Sequence, residues 1–197
     1  MTEKTRNSLD FLKLITDELD KNNIPYWLEC GTLLGAYRNN SFIEYDNDID
    51  IGILNDYSNN VNSVIDELSS NSYIEKLKYV HNGELSYDKI IKVMYKKDGI
   101  ISNCRWMDIY FFRKNKDRIE SCLFSDDTTS RFQANLYQIE NLETINLEDC
   151  QFKCPKNVSK FLKVRYGEDF MIPQSRCNSL DKEWWQVDDD LGKQYLD

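Results

Sequence analysis

Three aspartates spaced two residues apart, Asp46, Asp48 and Asp50, stand in the run FIEYDNDIDIG from Phe42 to Gly52. On an extended strand, side chains two apart point the same way. Asp48 and Asp50 would therefore project together, while Ile49, Ile51 and Ile53 face the opposite side and can be buried. Adjacent carboxylates repel, and each resists ionisation unless a cation compensates. Hard oxygen ligands of this kind suit Mg²⁺ or Mn²⁺, and the chemistry they would serve is phosphoryl transfer. A lone Asp-x-Asp arises easily by chance, and a solvated loop rich in Asp and Asn is the bland alternative. The alternating isoleucines argue against a loop, because loops do not need them. A third carboxylate, Asp108, lies in the apolar stretch RWMDIYFF, where an unpaired charge would be costly. Three carboxylates from two neighbouring strands would form a two-metal cradle that orients phosphates and lowers the pKa of an attacking hydroxyl.

Elements on either side must position these acids. Leu9, Leu12, Ile15 and Leu19 recur at helical spacing, and Asn22-Asn23 with Pro25 closes that helix. Tyr26 to Glu29 reads as a short strand leading into a Gly31-Thr32 turn. Thr32 is the expected N-cap of a helix running to about Arg38. The aspartate strand follows and ends near Leu54, and residues 57–69 read as a helix with Val61, Val64, Ile65 and Leu68 on one face. Strands are expected at Tyr73–Val80, Lys89–Lys96 and Ile100–Phe112, with turns at Asn82-Gly83 and Asp98-Gly99. Residues 118–124 and 144–153 add strand signals around an undecided segment. Asn157 is placed to cap a helix to about Tyr166 that Gly167 stops. The pattern has no regular βαβ repeat, so the expected class is α+β, a mixed sheet with helices packed against it.

Composition narrows the functions open to the chain. Its 197 residues suit one domain, expected over 1–175, with an acidic tail at 176–197 packed on it or extending from it. The net charge of −9, without a basic stripe, disfavours a nucleic acid as partner but leaves a metal-carried nucleotide open. There is no apolar leader segment and no run of membrane-spanning length, so the expected location is cytoplasmic. The six cysteines then read as buried or incidental thiols. A zinc site at Cys150 and Cys154 would have one histidine in the chain, His81, to help it, and His81 beside Asn82-Gly83 reads as a turn residue. That single histidine also weighs against Ser-His-Asp or Cys-His catalysis. A Walker loop is absent, because no Lys-Ser/Thr follows Gly31 and Gly35.

CGTLLGAYR from Cys30 followed by FIEYDNDIDIG resembles the LicD/fukutin family, a branch of the nucleotidyltransferase-fold superfamily. MDIYF at Met107–Phe111 and FLKVRYGEDFMIP at Phe161–Pro173 extend the likeness to roughly residues 10–173. The resemblance implies a nucleotidyltransferase-like fold in which Gly31 and Thr32 open a helix beneath nucleotide phosphates. It implies that Asp48, Asp50 and Asp108 bind the metals, with Asp46 as a further ligand. It also implies transfer of phosphocholine or ribitol phosphate from a CDP-linked donor to a carbohydrate hydroxyl, with Asp108 able to accept the acceptor's proton. The chain departs from the pattern at Glu44-Tyr45, where Pro-Trp is usual, and at Asn47, where another Asp is common. Two other readings stand beside this one: transfer of NMP to a small molecule, and a non-catalytic binding or regulatory homologue. Arg38 is either a charge for the phosphates or an ion-pair partner of the aspartate loop. Lys89 and Lys92 meet phosphates or line a solvated face, and Trp184-Trp185 stack on a sugar or pack the tail. The transferred alcohol, the acceptor glycan and the oligomeric state are not legible.

Overall fold

A computed structural model of the chain describes residues 1–76, 80–81, 89–125 and 128–173. Helix α1 (Glu3–Lys21) starts at Thr2, whose hydroxyl accepts from the Thr5 amide, and buries Leu9, Phe11, Leu12, Ile15 and Leu19. Strand β1 (Tyr26–Leu28) leads into α2 (Cys30–Asn39), and β2 (Asp48–Leu54) carries the aspartates into the core. A short 3₁₀ turn then opens α3 (Ser58–Ser70), which buries the Val61, Val64, Ile65 and Leu68 stripe that its spacing predicts.

β3 (Ile74–Lys76), β4 (Val80–His81), β5 (Lys89–Lys97) and β6 (Ile100–Ile101) follow, then β7 (Trp106–Asn115), β8 (Arg118–Ser125) and β9 (Thr128–Asn135). A short helix α4 (Leu136–Glu140) separates them from a hairpin of β10 (Glu143–Leu147) and β11 (Cys150–Cys154), and α5 (Val158–Tyr166) closes the described chain. Among the described residues nine strands form one mixed sheet whose central order is β1-β2-β7-β5-β3, with β4 and β6 on β5 and with β8 and β9 continuing from β7. The α+β class with helices on a mixed sheet is the class the sequence predicts.

The pairing that matters most is β2 with β7. It is parallel, with Asp50 beside Asp108 and Ile51 beside Ile109, while β5 runs antiparallel to β7 and sets Lys92 opposite Asp108. Ile49, Ile51 and Ile53 are fully buried. Burying them at about 25 cal/mol per Å² of apolar surface fixes the register, because a one-residue slip would turn the isoleucines out and the aspartates into the core. Gly52 sits beside Trp27 of β1, and a Cβ there would lie 2.3 Å from the indole. The glycine is needed to leave room for the Trp27 ring beside β2. On the other side of the sheet, α1 seats Phe11 against Tyr95 of β5 with ring centroids 5.3 Å apart.

Several expectations are corrected. Glu29, not Thr32, caps α2: its carboxylate accepts from the Cys30 amide, and Thr32 lies inside the helix. The continuous strand expected over Ile100–Phe112 is interrupted between β6 and β7, where Arg105 turns inward to bind carbonyls of another segment. Residues 144–153 form two antiparallel strands around Glu148, which adopts a left-handed conformation, φ 54°. Of the stretch expected as Tyr73–Val80, the described residues Ile74–Lys76 form β3 and Val80 begins β4, where His81 pairs with Lys89 instead of standing in a turn. The undecided segment is β9 and α4. Asp98-Gly99 forms the expected tight hairpin, with both φ angles positive. Asn82-Gly83, Trp184-Trp185 and the tail at 176–197 lie outside the described residues.

Candidate metal and phosphate site

The site is built by backbone bonds before any carboxylate is considered. The Asp50 amide donates to the Thr32 hydroxyl at 2.9 Å, and the Asp50 carbonyl accepts from the Glu29 amide at 3.0 Å. The first turn of α2 is thereby strapped to the middle of the aspartate strand. Gly31 fits under Asp46, whose Oδ2 would lie 2.2 Å from a Cβ at that position. Any side chain at residue 31 would have to push the Asp46 carboxylate away.

Glu29 itself is completely buried and is held on both carboxylate oxygens. Trp27 Nε1 donates to Oε2 at 2.6 Å, and the Arg165 guanidinium of α5 donates to Oε1. The segment between α2 and β2 has its own clamp. Arg105 Nε donates to the Asp46 carbonyl at 3.0 Å and Nη2 to the Ile43 carbonyl at 3.1 Å, with the guanidinium 4.7 Å from the Phe42 ring centroid. Residue-by-residue reading of the sequence misses Glu29, Arg105 and Arg165. Two of them left a signal: Glu29 is a charge in the apolar strand YWLE, and Arg165 lies on the same helical face as Phe161 and Leu162. Arg105 left none, because its partners are carbonyls 59 and 62 residues away.

On this frame one carboxylate oxygen from each of Asp48, Asp50 and Asp108 lies within 4.8 Å of the others. Asp50 and Asp108 are buried and Asp48 is half-buried at the strand's start. Burial pushes the Asp50 carboxyl well above the usual carboxylate range, and the charges of Asp48, Asp46 and Asp108 add to that. Burial likewise pushes Asp108 up to about 6, with Lys92 pulling the other way and Asp48 reinforcing the rise. Both are carboxylates short of a positive charge.

Asp108 Oδ1 is buried and has no hydrogen-bond partner, while Oδ2 meets Lys92 Nζ at 3.1 Å. Three carboxylates converging in so small a space, with one oxygen of Asp108 left without a protein partner, fit a Mg²⁺- or Mn²⁺-sized ion. Among the described residues no other group of His, Cys, Asp and Glu comes together in this way. Cys150 and Cys154, the zinc alternative, are free thiols on one strand.

Asp46 lies just before β2 and is not one of the three converging acids. Its side chain instead covers Gly31 and accepts from the Asn47 amide at 3.0 Å. Thr32 is buried with its hydroxyl turned to Asp50. Arg38 donates to the carbonyls of Phe170 and Ile172, and among the described residues it makes neither the ion pair with the aspartate loop nor a contact with the clustered acids. Its role in this structure is to anchor the segment after α5. Lys92 lies on β5 against Asp108; the side chain of Lys89 is outside the described residues.

Known proteins share sequence with this chain. The family described as LicD/FKTN/FKRP, nucleotidyltransferase domain, matches residues 23–157. An uncharacterized protein of Rickettsia typhi is 33% identical over 150 residues, 75% of this chain and 43% of that protein. The ribitol-5-phosphate transferase FKTN of Homo sapiens is 24% identical over 169 residues, 85% of this chain and 34% of the relative. The chain thus spans less than half the length of the curated relatives it matches. A solved structure of the antibiotic-resistance factor ANT(2'')-Ia aligns with a TM-score of 0.44 and 14% identity, over 78% of this chain and 66% of its own. Among the described residues no helix is long and apolar enough to cross a membrane.

Proposed function

This chain belongs to the LicD/FKTN/FKRP family through its nucleotidyltransferase domain, and from that premise we propose that it transfers a phosphorylated alcohol from a nucleotide-diphosphate-linked donor to a carbohydrate hydroxyl. The observation that carries the reading is the convergence of Asp48, Asp50 and Asp108 beside the strapped first turn of α2. Relatives named ribitol-5-phosphate transferases support phosphoalcohol transfer. A CDP-linked donor, with ribitol phosphate or phosphocholine as the transferred group, is the specific form of the proposal.

In this mechanism Asp48, Asp50 and Asp108 would hold a divalent cation, Mg²⁺ or Mn²⁺. Held there, such an ion would neutralise charge on the donor's phosphates and sharpen the nucleophilicity of a nearby hydroxyl. The acceptor oxygen bonds to the phosphorus that bears the alcohol. The bond from that phosphorus to the oxygen of the nucleoside monophosphate breaks, and the monophosphate leaves with the electron pair. The hydroxyl proton passes to Asp108 Oδ1, which carries no protein hydrogen bond. Gly31 leaves room for the Asp46 carboxylate over the first turn of α2, and Thr32 fixes Asp50 beside it. Positioning and electrostatics supply the acceleration, as phosphoryl transfer requires.

The test is calorimetry with CDP, UDP, GDP and ADP, each with and without Mg²⁺, followed by mass analysis of products from the matching nucleotide-linked alcohol and a glycan acceptor. Metal-dependent binding of one nucleotide and an acceptor heavier by the phosphoalcohol are expected. An acceptor heavier by NMP would establish nucleotidyl transfer instead. Absence of metal-dependent binding to all four nucleotides would sink the enzymatic reading and favour a non-catalytic homologue.

A further inference from the structure

Among the described residues, Lys92 is the cation that meets the clustered acids. Lys92 is opposite Asp108 across β5 and β7, and Asp108 is beside Asp50 across β7 and β2, so the row reads lysine, aspartate, aspartate on three neighbouring strands. Lys92 Nζ lies 3.1 Å from Asp108 Oδ2 and 4.8 Å from the centroid of the Trp106 ring. Trp106 is itself paired beside Asp48. An ion pair and a cation–π contact together hold the ammonium at the border of the cluster. The long stem of lysine reaches this point and sets a compact charge there.

Asp108 is therefore divided between two tasks. Oδ2 is committed to Lys92, and Oδ1, buried and without a protein partner, is left for an ion and the reacting hydroxyl. Within the three converging carboxylates the ammonium offsets one negative charge and leaves two, the complement of one divalent ion, while the Asp46 carboxylate stays outside the three. A second divalent ion bound by the protein would have to sit within a few ångströms of the ammonium, where like charges repel strongly in a partly buried site.

We propose that Lys92 stands in for a second metal: it is a fixed cation that positions Asp108 and makes the carboxylate cluster a one-ion centre. The inference rests on the reading that Asp48, Asp50 and Asp108 hold a divalent cation, and it adds a stoichiometry and a residue to it. Lys92 is a positioning residue, acting through Asp108. The two-metal cradle suggested by three acids alone gives way to one ion and one lysine, and any further ion would have to arrive with the donor's phosphates.

Equilibrium dialysis with Mn²⁺ alone, read by electron paramagnetic resonance near neutral pH, tests this without turnover. The wild-type chain is expected to bind one Mn²⁺. Lys92→Gln is expected to bind two, the first about ten-fold more tightly because a repelling charge has gone. Lys92→Arg, which restores the charge, is expected to remain at one. If Lys92→Gln binds one ion with the wild-type constant, Lys92 is a structural ion-pair partner and the inference is overturned while the metal site stands. If the wild-type chain binds no Mn²⁺, the metal reading of the cluster falls and takes the inference with it. Circular dichroism confirms that each variant is folded, and Lys92→Met replaces the glutamine variant should that one unfold.

Discussion

Burial and mutual repulsion act in the same direction on Asp50 and Asp108, and this sets the sign of a pH experiment. A carboxyl whose pKa is raised on folding holds its proton more tightly in the folded chain than in the unfolded one. Its contribution to stability is then greatest in acid and is lost as pH rises from the unfolded value of about 4 through the folded value. For Asp108 that window closes at about 6, and Asp50 shifts in the same direction from the same leading cause. In the absence of divalent metal, Asp50→Asn should therefore melt a few degrees above wild type at pH 8, and the difference should shrink towards pH 4. The same variant should lose at least about a hundred-fold in turnover, the scale of a removed electrostatic stabiliser. Thermal melts across pH, beside assays of the same samples, check both. A metal-free variant less stable than wild type at pH 8 would contradict the strained-carboxylate account.

At the scale of elements, the first turn of α2 depends on a helix more than a hundred residues away in sequence. Arg165 of α5 and Glu29 at the head of α2 form an ion pair with almost no solvent exposure, and Trp27 of β1 donates to the same carboxylate. Breaking a buried pair from one side leaves the other charge uncompensated, at a cost of about 3–5 kcal/mol. Arg165→Met should lower the stability measured by urea denaturation by that amount. Replacing Glu29 by Gln in the same chain should recover part of the loss, because no charge then remains buried. Equal losses in the single and double variants would mean that the pair does not couple α5 to α2. Asn157 as the cap of α5, Gly167 as its stop and the α3 stripe are legible in the sequence because caps and amphipathic spacing are local signals. The cap of α2 is not, because Thr32 has the right residue type for the role while tertiary bonding turns its hydroxyl to Asp50.

For the molecule as a whole, the site gathers like charge in a chain already carrying −9, so a cation that binds only the folded form must stabilise it. Mg²⁺ at a hundred times its dissociation constant should add about 2.7 kcal/mol. The rise in melting temperature should be larger at pH 8 than at pH 5, since the ligands must be ionised to bind. Chelator should reverse it, and Asp108→Asn should remove it. Melting curves that ignore Mg²⁺ at pH 8 would count against the site. The sequence by itself determined the α+β class, the aspartate strand with its isoleucine backing, the candidate acids and the family resemblance that the family match bears out. Those properties reside in residue type and short spacing, which the chain states directly. Only the tertiary structure decided that β2 and β7 run side by side in parallel, so that Asp50 meets Asp108 while Asp46 stays outside the cluster. It also decided that Arg38 anchors the segment after α5, that Arg105 and Glu29 brace the site, and that Lys92 faces Asp108. The physical reason is that strand register and buried pairing between distant segments are set by how the whole core packs, and no local pattern carries that information.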